Sequence, residues 1–125
     1  MNMFKNIARI VLAATVFGVS GTAVALAQDA PHGDAVKGKR IYIADGCFTC
    51  HGRSGQGGAY NGPAPILAKT ALPFDGFKGQ IRNPVNDMPA FSSANLSDKD
   101  IADIYAFVRS LPGPRSAKDI AILNN

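Results

Sequence analysis

Apolar residues recur at helical spacing near the carboxyl end of the chain. Ser97 and Asp100 form a capping pattern, in which a hydroxyl residue is followed three positions later by an acid. The apolar side chains that come next are three or four residues apart and would line one face of a helix: Ile101, Ile104, Tyr105, Val108 and Leu111. Pro112-Gly113-Pro114 ends the pattern, because proline does not continue a helix. The sequence therefore predicts an amphipathic helix between Ser97 and Pro112.

A second helix is predicted nearer the amino terminus. Asp34 is placed to accept hydrogen bonds from the first free amides of a helix that begins at Ala35 and runs through Ile43. Gly38 costs about 1 kcal/mol relative to alanine inside such a helix, and this cost is usually tolerated where another backbone comes close. Because Gly38 and Tyr42 lie four residues apart, they share one face of the helix.

The segment between these helices is rich in Gly, Pro and Asn, with only short helical possibilities at 66–70 and 77–82. A stretch this long without regular structure is unusual in a compact domain. No repeats, low-complexity runs or strand hairpins are apparent in the sequence. The segment is expected where loops wrap around a bound group that supplies part of the core.

The first 27 residues have the pattern of a secretory signal peptide. Lys5 and Arg9 precede an apolar or small stretch at 10–24, and Ala25-Leu26-Ala27 fits the small-x-small cleavage pattern. The apolar stretch is short for a membrane span, although retention as an uncleaved anchor stays an alternative. We predict cleavage after Ala27 and export to the periplasm, without a stable membrane anchor.

Removal of residues 1–27 changes both size and charge. The 98 residues that stay suit one small domain, placed at 34–111 after a flexible leader at 28–33 and before a C-terminal extension at 112–125. The formal charge falls from +4 to +2, because two basic residues leave and all nine acids stay. A charge so near zero gives no case for binding to nucleic acid or to an anionic membrane.

Cys47-Phe48-Thr49-Cys50-His51 carries the most specific chemistry in the chain. Cys-x-x-Cys-His is the attachment motif for covalently bound c-type haem. Two cysteines three positions apart lie on nearly the same side of a helical turn, where their sulfurs can reach two haem vinyl groups. The same turn carries His51 under the metal, where its Nε2 can coordinate iron. The motif predicts one haem c, attached through Cys47 and Cys50, with His51 as the proximal ligand.

Two other interpretations of this motif fit less well. A redox dithiol would place Cys-x-x-Cys near a strand-helix-strand unit, and none is apparent. A zinc site would need four ligands, whereas the only other cysteine or histidine is His32, so carboxylates or water would have to complete the site. Haem also explains the loop-rich middle of the chain, since the porphyrin supplies core that so small a domain lacks.

Met88 is the candidate for the second axial ligand. It is the only methionine outside the predicted signal peptide, and the following Pro89 biases it toward a loop conformation. A lone methionine otherwise fills a core on a helix, and His32 in the leader is a competing ligand. Because methionine ligation raises the potential relative to two histidines, we expect a fairly high reduction potential.

Residues 34–111 resemble a class I c-type cytochrome, the small monohaem bacterial kind. Beside the haem motif, Met88 in Met-Pro-Ala-Phe fits the family's sixth ligand, and Pro65-Ile66-Leu67 resembles its Pro-x-Leu segment. The resemblance implies an all-α fold in which N- and C-terminal helices cross while loops and short helices wrap around one covalent haem. It further implies that the Pro65 carbonyl accepts a hydrogen bond from Nδ1 of His51.

The same resemblance places further residues and leaves two segments unmatched. Gly38 and Tyr42 look like the family's residues that cross the C-terminal helix, with Tyr105 as the facing aromatic. The glycine-rich segment at 52–63 and the tail at 115–125 depart from the family's pattern. Three side chains have donors suited to the haem propionates, and none is assigned: Tyr60, Arg53 and Arg82.

The function implied by the resemblance is electron transfer rather than enzyme catalysis. A haem with His and Met ligands would pass single electrons from a dehydrogenase or reductase to an oxidase or membrane complex. One alternative is a dedicated haem subunit of a periplasmic dehydrogenase complex. Another is a gas sensor or peroxidase-like protein, which needs an open distal face with acid-base groups. Met88 argues against that last alternative.

Overall fold

The computed structural model describes residues 30–58 and 63–124. The predicted signal peptide, the start of the leader and Tyr60 lie outside these ranges. Within them the chain forms helices and no strand: α1 Ala35–Ala44, α2 Phe48–His51, α3 Phe74–Arg82, α4 Asp98–Ser110, and two 3-10 helices at Ala117–Asp119 and Ala121–Leu123. The predicted all-α fold is confirmed. None of these helices has the length and apolar character that a membrane crossing requires.

Both long helices begin at their predicted caps. The Asp34 side chain accepts hydrogen bonds from the backbone amides of Val36 and Lys37, at 2.8 and 3.0 Å. At α4 both arms of a capping box are present, since Ser97 accepts from the Asp100 amide and the Asp100 carboxylate accepts from the Ser97 amide. The short helix considered at 66–70 is absent, and only a turn at 68–69 lies within that segment.

The backbones of α1 and α4 touch where the helices cross. A Cβ atom built on Gly38 would lie 1.9 Å from the carbonyl oxygen of Asp103. A Cβ built on Gly33 would likewise lie 2.2 Å from the carbonyl oxygen of Ala102, so the last residue of the leader packs against α4. The close approach predicted for Gly38 is therefore present, and a second one occurs just before the helix.

The aromatic residue of α4 that faces Tyr42 is Phe107, whereas the resemblance implied Tyr105. The rings of Tyr42 and Phe107 meet edge to face, with centroids 5.3 Å apart. Tyr105 lies against Phe74 and Phe77 of α3 instead, at 5.5 and 5.2 Å. Residues two positions apart in an α-helix point about 200° apart around the helix axis. Tyr105 therefore faces α3 when Phe107 faces α1.

A buried carboxylate ties the start of α1 to α4. The Asp103 side chain is fully buried, and its Oδ1 accepts from the backbone amide of Asp34 at 2.7 Å and from Lys99 Nζ. Lys37 Nζ lies 3.2 Å from Oδ2 of the same carboxylate. Burial alone would raise the pKa of Asp103, but these donors outweigh it and hold the pKa at about 2. The crossing therefore contains a charge that is stabilised from both helices.

Candidate haem site

The Cys-x-x-Cys-His motif lies on one short turn joined directly to α1. Cys47 immediately precedes α2, and its amide donates to the Tyr42 carbonyl at 3.1 Å. Gly46 makes the connection with a left-handed φ of 76°, and Thr49 Oγ1 donates to its carbonyl at 2.7 Å. The predicted helical turn is thus present, and the core residue Tyr42 helps to hold it.

Both cysteine side chains are half-buried, and no disulfide joins them. Burial raises the pKa of the Cys47 thiol to about 11, so this group stays protonated at neutral pH. Redox dithiols have a thiol whose pKa is lowered instead. This environment does not suit the dithiol interpretation, whereas a neutral thiol beside an apolar core is compatible with thioether formation.

His51 has one ring nitrogen committed to the protein. Its side chain is buried, and Nδ1 lies 3.0 Å from the carbonyl oxygen of Pro65. Because a carbonyl only accepts, Nδ1 is the donor in this contact, and Nε2 is the ring nitrogen that stays available to bind a metal. This is the contact that the resemblance implies, and in metal sites such a bond fixes the orientation of the ring and increases its basicity.

The residues between His51 and Pro65 include a tight loop at 52–58, called here the glycine loop. Gly57 donates its amide to the His51 carbonyl at 2.9 Å, and Gly58 donates to the Ala64 carbonyl at 3.0 Å. The Gly55 carbonyl accepts from the amides of residues 67 and 68. The loop therefore bonds to the turn that carries His51 and to the segment that carries Pro65.

Backbone conformation, together with packing at Gly57, explains the glycine content of this loop. Four of its glycines have left-handed φ values between 55° and 77°: Gly52, Gly55, Gly57 and Gly58. A Cβ on Gly57 would lie 2.6 Å from the Ala64 carbonyl oxygen, next to Pro65. The segment departs from the family's pattern, and its contacts were not predicted from the sequence. The available signal was the dense glycine spacing directly after the haem motif.

The structure places Met88 on the loop between α3 and α4. Its side chain is half-buried and packs against the same core as Cys47 and Phe48. Gln80 Nε2 lies 3.9 Å from the Met88 sulfur, a weak donor contact. Met88 is thus in a loop, as its proline neighbour predicted, and its role as an iron ligand stays a prediction.

Among the propionate donors suggested by the sequence, Arg82 is already committed to protein groups. It donates to the Phe91 carbonyl at 2.9 Å and to Asp98 at 2.6 Å. Arg53 lies over the Phe48 ring, 4.8 Å from its centroid. His32, the competing ligand, is exposed in the leader.

The described residues fit haem better than a bare metal ion. Within 30–58 and 63–124, no group of three or more His, Cys, Asp or Glu side chains is arranged to hold a metal. Three of the exposed large apolar side chains lie between Pro65 and Met88 in the sequence: Ile66 at 49%, Leu72 at 45% and Val85 at 62%. An apolar porphyrin suits such a surface, and a hydrated ion does not.

Comparison with known proteins gives two matches. The family model described as "Cytochrome C oxidase, cbb3-type, subunit III" matches residues 33–108. "Cytochrome c-555" from Methylococcus capsulatus is 33% identical over 92 residues, which cover 73% of this chain and 74% of that protein. No solved structure matches the chain. The range matched by the family model contains all five predicted site residues: Cys47, Cys50, His51, Pro65 and Met88.

Proposed function

Because the chain belongs to the class I c-type cytochromes, we propose that it carries single electrons in the periplasm with His51 and Met88 as axial ligands. Members of this family are haem-based electron carriers, and the chain binds haem c covalently. Cys47 and Cys50 stand in the attachment positions of its motif. When bound, the haem supplies the Fe(III)/Fe(II) couple.

The observation that carries the proposal is the 3.0 Å contact between His51 Nδ1 and the Pro65 carbonyl oxygen. His51 lies on the same turn as the two cysteines. This contact leaves Nε2 as the basic nitrogen and keeps the ring from rotating. The glycine loop then holds both partners of the bond. A histidine fixed in this way suits electron transfer, because a ligand that hardly moves limits reorganisation when the charge changes.

The proposed partners are a dehydrogenase or reductase as donor and an oxidase or membrane complex as acceptor. Periplasmic location rests on the signal-peptide pattern of residues 1–27. The proposal gives the protein no bond-making chemistry of its own. A second candidate is a dedicated haem subunit of a larger redox complex, which the wording of the matching family description favours. Co-purification of a catalytic chain with the native protein would support that second candidate over a free carrier.

The test is an optical spectrum and a redox titration of the holoprotein, comparing wild type with Met88→Ala. Ferric haem with a methionine sulfur ligand shows a weak long-wavelength band, which we expect in wild type and not in the variant. The variant should also have a lower reduction potential, because the thioether favours ferrous iron. Val36→Ala is the control, since Val36 lies on α1, away from the Met88 loop, and is 65% exposed.

Two results would contradict the His/Met assignment. One is a long-wavelength band that survives in Met88→Ala. The other is a wild-type protein that lacks this band and binds carbon monoxide readily when reduced. The second result would mean an open sixth position, and the gas-sensing or peroxidase-like alternative would then lead.

A further inference from the structure

Arg82 closes the base of the loop that carries Met88. This loop, residues 83–90, leaves the end of α3 and returns at Phe91, whose amide donates to the Ile81 carbonyl at 3.0 Å. Arg82 Nη1 donates to the Phe91 carbonyl at 2.9 Å. Both polar backbone groups of Phe91 are therefore bonded to the last turn of α3, one by backbone and one by the Arg82 side chain.

The other side of the same guanidinium is fixed to α4. Arg82 Nη2 donates to Asp98 Oδ1 at 2.6 Å, and the Arg82 side chain is only 18% exposed. Asp98 is the first residue of α4, where the helix dipole favours a carboxylate. Arg82 thus bridges two helices and the return point of the Met88 loop with charge-assisted hydrogen bonds.

Burial against other protein groups contributes little to holding this loop in place. Met88 and Pro84 are its half-buried members, and the others are exposed to solvent: Asn83, Val85, Asn86, Asp87, Pro89 and Ala90. A segment with so few buried contacts opens at low free-energy cost unless its ends are tied. The two hydrogen bonds at Phe91 are therefore the main protein contacts that keep the loop ordered.

Lys78 provides an internal comparison, because it contacts Asp98, as Arg82 does, but not the Phe91 carbonyl. Its Nζ lies 3.4 Å from Asp98 Oδ2, and its side chain is 33% exposed. Its further contact is with the Phe74 ring, 5.7 Å from the centroid. Among the described residues, no hydrogen bond joins Lys78 to Phe91 or to the Met88 loop. The two cations therefore differ in their contact with the loop.

We propose that Arg82 is a positioning residue for Met88, which keeps the thioether in the ligand position by holding the Phe91 carbonyl. The proposal rests on the His/Met ligation proposed above. Loss of the guanidinium leaves the return of the loop with its single backbone bond to Ile81. The loop then opens more often, and an external ligand reaches the sixth position more often.

The experiment measures imidazole binding to the ferric holoprotein of the full chain by stopped-flow absorption. At saturating imidazole the observed rate is limited by departure of Met88. We compare wild type with Arg82→Gln and with the matched control Lys78→Gln. A hydrogen bond to a charged group contributes enough to expect a rate about ten to a hundred times faster in Arg82→Gln. We expect less than about a twofold change in Lys78→Gln, since exposed pairs contribute little.

Denaturant unfolding of the same proteins separates positioning from a general loss of stability. Both variants remove one partner of Asp98, so both lower the unfolding free energy modestly, and only Arg82→Gln accelerates imidazole binding. If Arg82→Gln does not fold, Asp98→Asn releases the guanidinium without removing it and should accelerate binding to a smaller extent.

Three outcomes would overturn the proposal. The first is a wild-type imidazole rate in Arg82→Gln, or in Asp98→Asn when that variant replaces it. The second is an equal acceleration in Lys78→Gln. In both, wild type still shows the methionine band and a saturating rate, so the proposed ligation stands. The third is a wild type without that band whose imidazole rate does not saturate, which overturns the ligation and the proposal together.

Discussion

Replacement of Gly38 by alanine should weaken the crossing of α1 and α4 far more than its single methyl group suggests. The new Cβ would lie 1.9 Å from the Asp103 carbonyl oxygen and 2.3 Å from its carbon. Real Cβ contacts of this kind essentially never fall below 3.0 Å. The two backbones must therefore separate by at least about 1 Å, since neither atom belongs to a side chain that could rotate away.

The cost follows from the side chains that share the crossing. Tyr42, Ile104 and Val108 are almost completely buried, and each contributes about 2–3 kcal/mol by burial. A gap of 0.5–1 Å forfeits about a quarter to a half of the dispersion attraction across it. The loss is then about 2–4 kcal/mol, which agrees with the range for overpacked cores. Higher helix propensity returns about 1 kcal/mol of this.

Gly79→Ala is the matched control. Gly79 lies inside α3 and is exposed, and within the part of the chain that the structure describes no atom lies within 4 Å of its built Cβ. It gains the same helix propensity without the collision, so the propensity contributions cancel in the comparison. We expect Gly79→Ala to raise the unfolding free energy of the holoprotein by up to about 1 kcal/mol. Gly38→Ala should lower it by about 1–3 kcal/mol net.

The assay is equilibrium unfolding in guanidinium chloride, followed by circular dichroism in the oxidised holoprotein. The slopes with denaturant should agree among the three proteins, so that midpoints report stability. Equal changes of unfolding free energy in the two variants would refute the reasoning, because they would mean that the crossing relaxes without loss of contacts.

Two further predictions concern the His51 bond and the buried carboxylate. Gly57→Ala should raise the reduction potential in a redox titration. Its Cβ would displace the backbone beside Pro65 and weaken the hydrogen bond from His51. A less basic imidazole stabilises ferric iron less. Gly58→Ala has a similar left-handed φ, but no atom of the described residues lies within 4 Å of its Cβ, so the potential should not change. An equal shift in both variants would contradict the prediction. The pKa of Asp103 is held at about 2, below its ordinary value, so it stabilises the fold above about pH 4. That contribution, about 2 kcal/mol, is lost as the pH falls toward 2. The difference in unfolding free energy between wild type and Asp103→Asn should therefore shrink over this range, and a constant difference would count against it.

Local sequence signals predicted most of the helical framework. The caps at Asp34 and Ser97 depend on side chains within three residues of the amides they bind, so they can be recognised without a fold. The haem motif is equally short-range, because one turn of helix contains both cysteines and the histidine. Gly38 was also informative, since a glycine inside a helix is hard to explain without a close neighbour.

Contacts between distant residues were not accessible in this way. Seven residues of α4 are buried, because α1 and α3 pack on different sides of it, so periodicity alone could not assign Tyr105 or Phe107 to a neighbour. Gly33 lies in a segment whose sequence suggests a flexible leader. Its contact is with residues of α4 about seventy positions later in the chain, and local sequence cannot indicate such a contact. Arg82 was considered only as a donor to a haem propionate, since its protein partners follow it by nine and sixteen residues.

The two proposed axial ligands are supported by very different amounts of structure. His51 is buried on a turn bonded to α1, and its Nδ1 is fixed by a segment that the glycine loop holds in place. Met88 lies on a mostly exposed loop tied mainly at Phe91. Local opening begins where buried contacts and backbone bonds are fewest. Loss of iron coordination should therefore start on the methionine side. Arg82 is the residue best placed to set how often Met88 leaves the iron.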